Sequence, residues 1–150
     1  MERTKEQKAL NVFAILQIIG GILGIIIGIL SFAFGGAIFE NAAKLVEETA
    51  VTAEAADKIG SVFTGTGIAS IINGVVHMIT GFLIRKAVKD PSKYKPAFIL
   101  VAISFVLSIV GLISAIITKD AQLILNSVFA LVLDGLVCYL LNKIKNTVTA

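Results

Sequence analysis

Four long apolar runs constrain this chain more than any other feature of its sequence. Each run meets the length of about 20 residues that an α-helix needs to cross a bilayer, and each is apolar on all sides rather than along one stripe. The runs cover Leu10–Phe39, Ser61–Ile84, Ala97–Thr118 and Ala121–Leu141. Of all residues, 57% are hydrophobic and 15% charged, whereas soluble domains average about 25% charged. The runs predict an all-α, four-helix transmembrane bundle that occupies residues 1–150 as a single domain.

The segment Arg85–Pro96 carries most of the information on orientation. It holds five of the thirteen Lys and Arg residues and one acid. Lys and Arg near the ends of spans remain on the cytoplasmic side. With the N-terminal tail, this loop and the C-terminal tail inside, ten Lys and Arg residues are inside and three outside. We therefore expect a multi-pass protein of the plasma membrane with both termini cytoplasmic.

The same loop has a second interpretation beside that of a topological anchor. Lys and Arg next to a bilayer attract anionic lipid head groups, at about 1 kcal/mol per residue. The residues that could make this contact are Arg85, Lys86, Lys89, Lys93 and Lys95.

The stretch Glu40–Ile59 is the one sizeable hydrophilic segment between two apolar runs. It is rich in Ala, which favours helix, and its apolar residues recur at three- and four-residue spacing. We expect a short amphipathic helical segment on the outer face, either a solvated connection or a cap that binds a partner or a cation. The third and fourth runs are separated only by Lys119-Asp120. The four spans are therefore expected to form two antiparallel hairpins.

Glycines recur on the first two spans at spacings that place them on one helix face. Such a face lets another helix backbone approach closely, and helix packing in lipid depends on that approach. The first span has glycines four residues apart at Gly20, Gly24 and Gly28, and the second has glycines seven apart at Gly60, Gly67, Gly74 and Gly81. We expect the face on the first span to hold a neighbouring span of the same chain or to form the seam of a homodimer, and the face on the second span to be the partner surface for another span.

Polar residues inside the spans are the candidates for chemistry, because lipid offers them no partner. Asp134 is the one acid well inside a run, and His77 is the one histidine. Counted from the basic ends of the spans, Asp134, His77, Ser104 and Gln17 lie at a common depth of roughly 10–14 Å. Asn73 and Ser108 lie one turn deeper. This polar layer is either a proton- or cation-handling site or a hydrogen-bonded network that fixes helix register.

Motifs of known enzymes are absent from the sequence. It has no HExxH, GxSxG or Walker loop, and Cys138 is its one cysteine. We expect no catalytic activity, no cofactor, no metal site and no nucleic-acid partner. In span number and length the chain is similar to other small four-span membrane proteins, without the motif of a named family.

Two functions remain open at this point. The first is an accessory or scaffold subunit that binds another membrane protein, or further copies of itself, through helix–helix contacts. The second is a small oligomeric transporter or channel that uses the polar layer around Asp134 and His77.

Overall fold

The computed structural model describes residues 3–48, 53–119 and 121–145, with the backbone alone between residues 35 and 64 apart from Val62. The described residues form four α-helices and one 3₁₀ turn. The helices are α1 (Lys5–Glu48), α2 (Ala53–Lys89), α3 (Tyr94–Thr118) and α4 (Ala121–Lys145), and the turn is Pro91–Lys93. Four segments are long and apolar enough to cross a membrane, and the third of them includes the 3₁₀ turn together with α3: Lys5–Phe34, Gly65–Lys89, Pro91–Thr118 and Ala121–Lys145. The prediction of an all-helical fold with four such helices is confirmed.

Helix ends coincide with local capping signals. At the start of α1, the Gln7 backbone N–H donates to Thr4 Oγ1 at 3.3 Å, and the Thr4 backbone N–H donates to Gln7 Oε1 at 2.9 Å. These reciprocal bonds form a capping box, which satisfies two backbone donors that the helix leaves unpaired. At the end of α3, Lys119 adopts a left-handed conformation with φ of 55°, and its N–H donates to the carbonyls of Ala115 and Ile116. That geometry ends α3 directly before α4.

The hydrophilic stretch 40–59 extends both long helices. Helix α1 continues through Glu48 and α2 begins at Ala53, so the described residues on either side of the gap belong to these two helices. The expected short amphipathic helix is not a separate element among them, and residues 49–52 lie outside the described residues. Hydropathy marks where a span leaves the membrane, but it does not mark where helix ends, because Ala, Glu and Lys favour helix in water as well.

The chain divides into two compact units. The first unit comprises residues 1–17 and 80–150, and the second comprises residues 18–79. The first unit has a core to which all four helices contribute. Its buried apolar side chains are Leu10, Ala14, Ile84, Ala87, Val88, Ala97, Val101, Val137, Leu140, Leu141 and Ile144.

Two polar contacts connect helix ends next to this core. Lys143 Nζ of α4 lies 2.9 Å from Glu6 Oε1 of α1, and Gln7 Nε2 donates to the Val88 carbonyl at 3.4 Å. The contacts join the start of α1 to the ends of α2 and α4. In the first unit, packing is therefore concentrated at the end that carries the basic loop.

Outside this core, many large apolar side chains are exposed. In α3 and α4, Ile117 is 74% exposed, Leu125 69% and Phe129 66%. Soluble proteins seldom expose large continuous apolar areas, and such areas mark protein or membrane contacts. The exposed apolar surface of these helices is therefore suited to an apolar medium.

Candidate functional site

The polar site of the first unit is centred on Asp134 of α4. Its Oδ2 accepts a hydrogen bond from Ser104 Oγ at 2.8 Å and a second from Ser108 Oγ at 3.2 Å. The two serines are four residues apart, so they lie one above the other on the same face of α3. Asp134 is only 8% exposed. A single carboxylate oxygen of α4 is therefore held by two hydroxyls of the facing helix.

Small residues and one aromatic ring bring the two helices close enough for these hydrogen bonds. A methyl group built on Gly135 would lie 3.4 Å from the edge of the Phe105 ring, at Cε2. One built on Gly111 would lie 3.7 Å from Ser127 Oγ. Both distances are ordinary van der Waals contacts, so α3 and α4 are packed on each side of Asp134. Serine hydroxyls are short, and they reach the carboxylate because this packing is close.

The chemistry available at this site follows from its three oxygen atoms. A carboxylate that accepts two hydroxyl hydrogen bonds fixes helix register, and it could also exchange a proton or contact a cation. Among the described residues there is no group of three or more His, Cys, Asp or Glu side chains that could hold a metal ion. The site therefore provides a carboxylate held by two hydrogen bonds. The part of the chain that the structure describes contains no group of side chains arranged to bind a metal ion.

The other residues of the expected polar layer lie on α1 and α2. Gln17 and His77 are half-buried, and each is engaged in an interaction. Asn73 is exposed. The structure thus brings Ser104 and Ser108 to Asp134, and both hydroxyls that donate to the carboxylate belong to α3.

A second site is the close contact between α1 and α2 in the second unit. A methyl group built on Gly21 would lie 2.6 Å from the Gly74 carbonyl oxygen, and one built on Gly74 would lie 2.6 Å from the Gly21 carbonyl oxygen. The same reciprocity joins Gly28 and Gly67, at 2.7 Å and 2.9 Å. No side chain fits at these distances, so the two backbones touch at two places through pairs of glycines.

The glycines on the contact surface of α1 differ by one position from the expected set. A methyl group on Gly20 would meet nothing within 4 Å among the described residues, and Gly21 is the glycine that faces α2. Gly24 has ordinary contacts, the nearest at 3.4 Å. Adjacent residues point about 100° apart on a helix, and a Gly-Gly pair in the sequence does not indicate which member faces the partner. The resulting seven-residue step from Gly21 to Gly28 matches the step from Gly67 to Gly74 on α2.

The glycine series on α2 also includes Gly60 and Gly81, one at each end. Gly81 is buried. Gly60 lies in the helical stretch for which only the backbone is described, so its expected packing role stays a prediction.

The basic loop contains a small polar turn between α2 and α3. Asp90 accepts hydrogen bonds from the Ser92 backbone N–H at 3.2 Å and from the Ser92 hydroxyl, and Lys93 Nζ lies 2.7 Å from Asp90 Oδ2. The Lys93 hydrogen bond, followed by that of Ser92, lowers the pKa of Asp90 from 3.8 to about 2. The turn therefore keeps its one carboxylate ionised in a strongly basic surrounding.

The remaining cations of the loop lie at the surface. Exposed side chains in it include Arg85, Lys86, Lys89 and Lys95. Next to them, Lys145 Nζ of α4 lies 5.7 Å from the centre of the Tyr94 ring. Positive charge is thus exposed where α2 ends and α3 begins, which is the arrangement that contact with anionic head groups requires.

Sequence reasoning missed two contacts for different reasons. The capping box was detectable, because Thr4 and Gln7 have the S/T-x-x-E/Q spacing. The ion pair between Glu6 and Lys143 joins residues far apart in the chain, and no local pattern identifies such a pair.

Comparisons with known proteins found no relative of this chain. No protein-family model matches the chain, and neither the curated proteins nor the solved structures that were compared show a significant similarity to it.

Proposed function

We propose that this protein is a non-enzymatic, four-span membrane protein that acts as an accessory or scaffold subunit through helix–helix contacts. Its partners are the lipid bilayer and either further copies of itself or a larger membrane protein. It resides in the plasma membrane with both termini on the cytoplasmic side. Nucleic acid and cofactors have no role in this function.

Membrane insertion is supported by the pairing of length with exposed apolar surface. All four helices contain a segment of sufficient length and apolarity, and the exposed side chains of these segments are largely Ile, Leu, Val and Phe. The orientation rests on the distribution of Lys and Arg, which favours cytoplasmic placement of the N-terminal tail, the basic loop and the C-terminal tail.

Two antiparallel hairpins are supported by the order of the contacts within each unit. In the second unit, Gly21 contacts Gly74 while the later Gly28 contacts the earlier Gly67. In the first unit, Ser104 contacts Asp134 while the later Gly111 lies against the earlier Ser127. Contacts that run in opposite directions along two helices are typical of antiparallel packing.

The observation that best supports a scaffold role is the engagement of Asp134. Transport sites use intramembrane acids that bind and release ions, whereas Oδ2 of this carboxylate accepts hydrogen bonds from Ser104 and Ser108 of the neighbouring helix. Hydrogen bonds between membrane helices contribute about 0.6 kcal/mol each on average. A pair of them stabilises a hairpin and fixes its register, which is what a rigid interaction subunit requires.

The alternative function is a small oligomeric transporter or channel for protons or cations. Its specific support is that three oxygen atoms, those of Asp134, Ser104 and Ser108, converge at the depth expected for an intramembrane site. In this alternative His77 is the proton relay, because one nitrogen of a neutral imidazole donates a hydrogen bond while the other accepts one.

Reconstitution in liposomes separates the two functions. The purified wild-type chain, Asp134→Asn and the double variant Ser104→Ala, Ser108→Ala are compared for proton and alkali-cation flux and for thermal stability. We expect no flux above that of empty liposomes for any of the three, and a lower stability for the serine double variant. Flux that is present in the wild type, retained in the serine variant and lost in Asp134→Asn would contradict the scaffold function and support transport.

A further inference from the structure

Asn73 is an exposed amide near the middle of a segment suited to cross a membrane. It lies in α2 within Gly65–Lys89, eight residues after Gly65 and twelve before Arg85. Its side chain is exposed and has no hydrogen-bond partner among the residues that the structure describes. In lipid an unpaired amide is costly, because hydrocarbon neither donates nor accepts hydrogen bonds. A partner for this side chain must therefore come from outside the residues that the structure describes.

The neighbours of Asn73 form a continuous face of α2. Steps of four and three residues return to nearly the same side of a helix. The five exposed residues at this spacing, here called the Asn73 stripe, are Val62, Thr66, Ala69, Asn73 and Val76. The stripe differs from the side of α2 that packs on α1, which presents Gly67 and Gly74 to that helix. Contact with α1 therefore leaves the stripe accessible.

The composition of the stripe favours a second copy of the same chain as the occupant. A two-fold interface brings the same surface of both copies together, so each residue must be compatible with its own copy. An amide meets this condition, because it donates and accepts hydrogen bonds and can pair with an identical amide. The stripe contains no charged residue that would repel its copy, and Thr66 and Ala69 are small enough to let the helices approach.

We propose that two copies of this protein associate in the membrane through the Asn73 stripes of their α2 helices, with the two Asn73 amides hydrogen-bonded to each other. This inference rests on the proposed function, since it names one partner and one surface for the helix–helix contacts. The four- and three-residue spacing is that of left-handed helix pairs. A single polar residue in such a seam fixes its register.

Disulfide crosslinking in liposomes tests this interface with a matched control. In full-length Cys138→Ala, a single cysteine is placed at Ala69 on the stripe or at Val75, an exposed residue on another side of α2. We expect Ala69→Cys to form dimers at least ten times faster than Val75→Cys under mild oxidation at low protein-to-lipid ratio. Adding Asn73→Leu should reduce the Ala69→Cys rate to that of Val75→Cys, whereas Asn73→Gln should retain most of it. Circular dichroism verifies that the variants remain helical.

Three results would overturn the inference: equal crosslinking at both positions, an Ala69→Cys rate unaffected by Asn73→Leu, or single-molecule photobleaching that shows monomers throughout. A monomeric chain could still serve another membrane protein as an accessory subunit. Flux and stability of the wild type, Asp134→Asn and the serine double variant test the scaffold function independently. Failure of the dimer and failure of the scaffold function are therefore distinguishable.

Discussion

At the scale of single residues, the most informative group is Asp134 with its two serines. An acid inside a span costs roughly 2.5–3.5 kcal/mol on insertion scales. In this protein, two hydroxyls of α3 donate hydrogen bonds to one oxygen of Asp134. The carboxylate and both hydroxyls lie on the seam between α3 and α4. Polar residues that would be unfavourable in lipid thus hold these two helices in register.

A double-mutant cycle measures this contribution. We expect Ser104→Ala and Ser108→Ala to lower the free energy of unfolding by about 0.6 kcal/mol each. In an Asp134→Ala background the same serine substitutions should have little effect, because their acceptor is gone. Asp134→Asn should retain most of the stability, since its amide oxygen still accepts both hydroxyls. Reversible unfolding in mixed micelles gives these values, and serine effects that are unchanged without Asp134 would contradict the described hydrogen bonds.

The number of residues between each polar residue and the end of its span predicted part of this group. Ser104 follows Pro96 by eight residues and Asp134 precedes Lys143 by nine, and this count indicated a common depth. The same count applied equally to Gln17 and His77, because it contains no information on the direction in which a side chain points. Direction depends on helix rotation, and that is set by packing.

At the scale of helices, glycine pairs determine how α1 and α2 meet. The Gly21–Gly74 and Gly28–Gly67 contacts are between backbone atoms, so they are intolerant of any side chain. The seven-residue step on α2 was visible in the sequence. The partner step on α1 was not, because Gly20 and Gly21 are adjacent and only packing distinguishes them.

Alanine substitutions should distinguish these glycines clearly. We expect Gly21→Ala and Gly74→Ala to destabilise the protein by about 1–3 kcal/mol, the usual cost of overpacking. Gly20→Ala and Gly65→Ala are the matched controls, since a methyl group at either meets none of the described residues within 4 Å. The controls should be neutral or stabilising by up to about 1 kcal/mol, because Ala favours helix more than Gly does. Unfolding in detergent measures all four, and equal effects at Gly20 and Gly21 would contradict the described contact.

The turn between α2 and α3 gives a prediction on pH. Its hydrogen bonds with Lys93 and Ser92 lower the pKa of Asp90 to about 2. A carboxyl whose pKa is lower in the folded state contributes stability above its unfolded pKa near 3.8, and that contribution is lost as the pH falls toward 2. We expect NMR titration of the Asp90 side-chain carboxyl to give a midpoint near 2 in the wild type and a higher one in Lys93→Gln. A midpoint near 4 in both proteins would show that the ion pair does not form.

At the scale of the whole molecule, the apolar runs predicted four membrane-length helices, and the structure confirms that number. The ends of α1 and α2 differed from expectation, because helix continues into the hydrophilic stretch through Glu48 and from Ala53. The core around Leu10, Ile84, Val101 and Leu141 was not predictable from composition. In spans that are apolar on all sides, the pattern gives no sign of which face is buried against protein and which faces lipid.

We propose that the four helices cross a bilayer with the basic loop inside the cell. Cysteine labelling tests this topology: in Cys138→Ala, single cysteines at Ser92 and at Lys119 are treated with a membrane-impermeant maleimide. We predict that Lys119→Cys is labelled in intact cells and that Ser92→Cys is labelled only after permeabilisation. Labelling of Ser92→Cys in intact cells, or equal labelling of both positions before permeabilisation, would contradict the four-span topology with cytoplasmic termini.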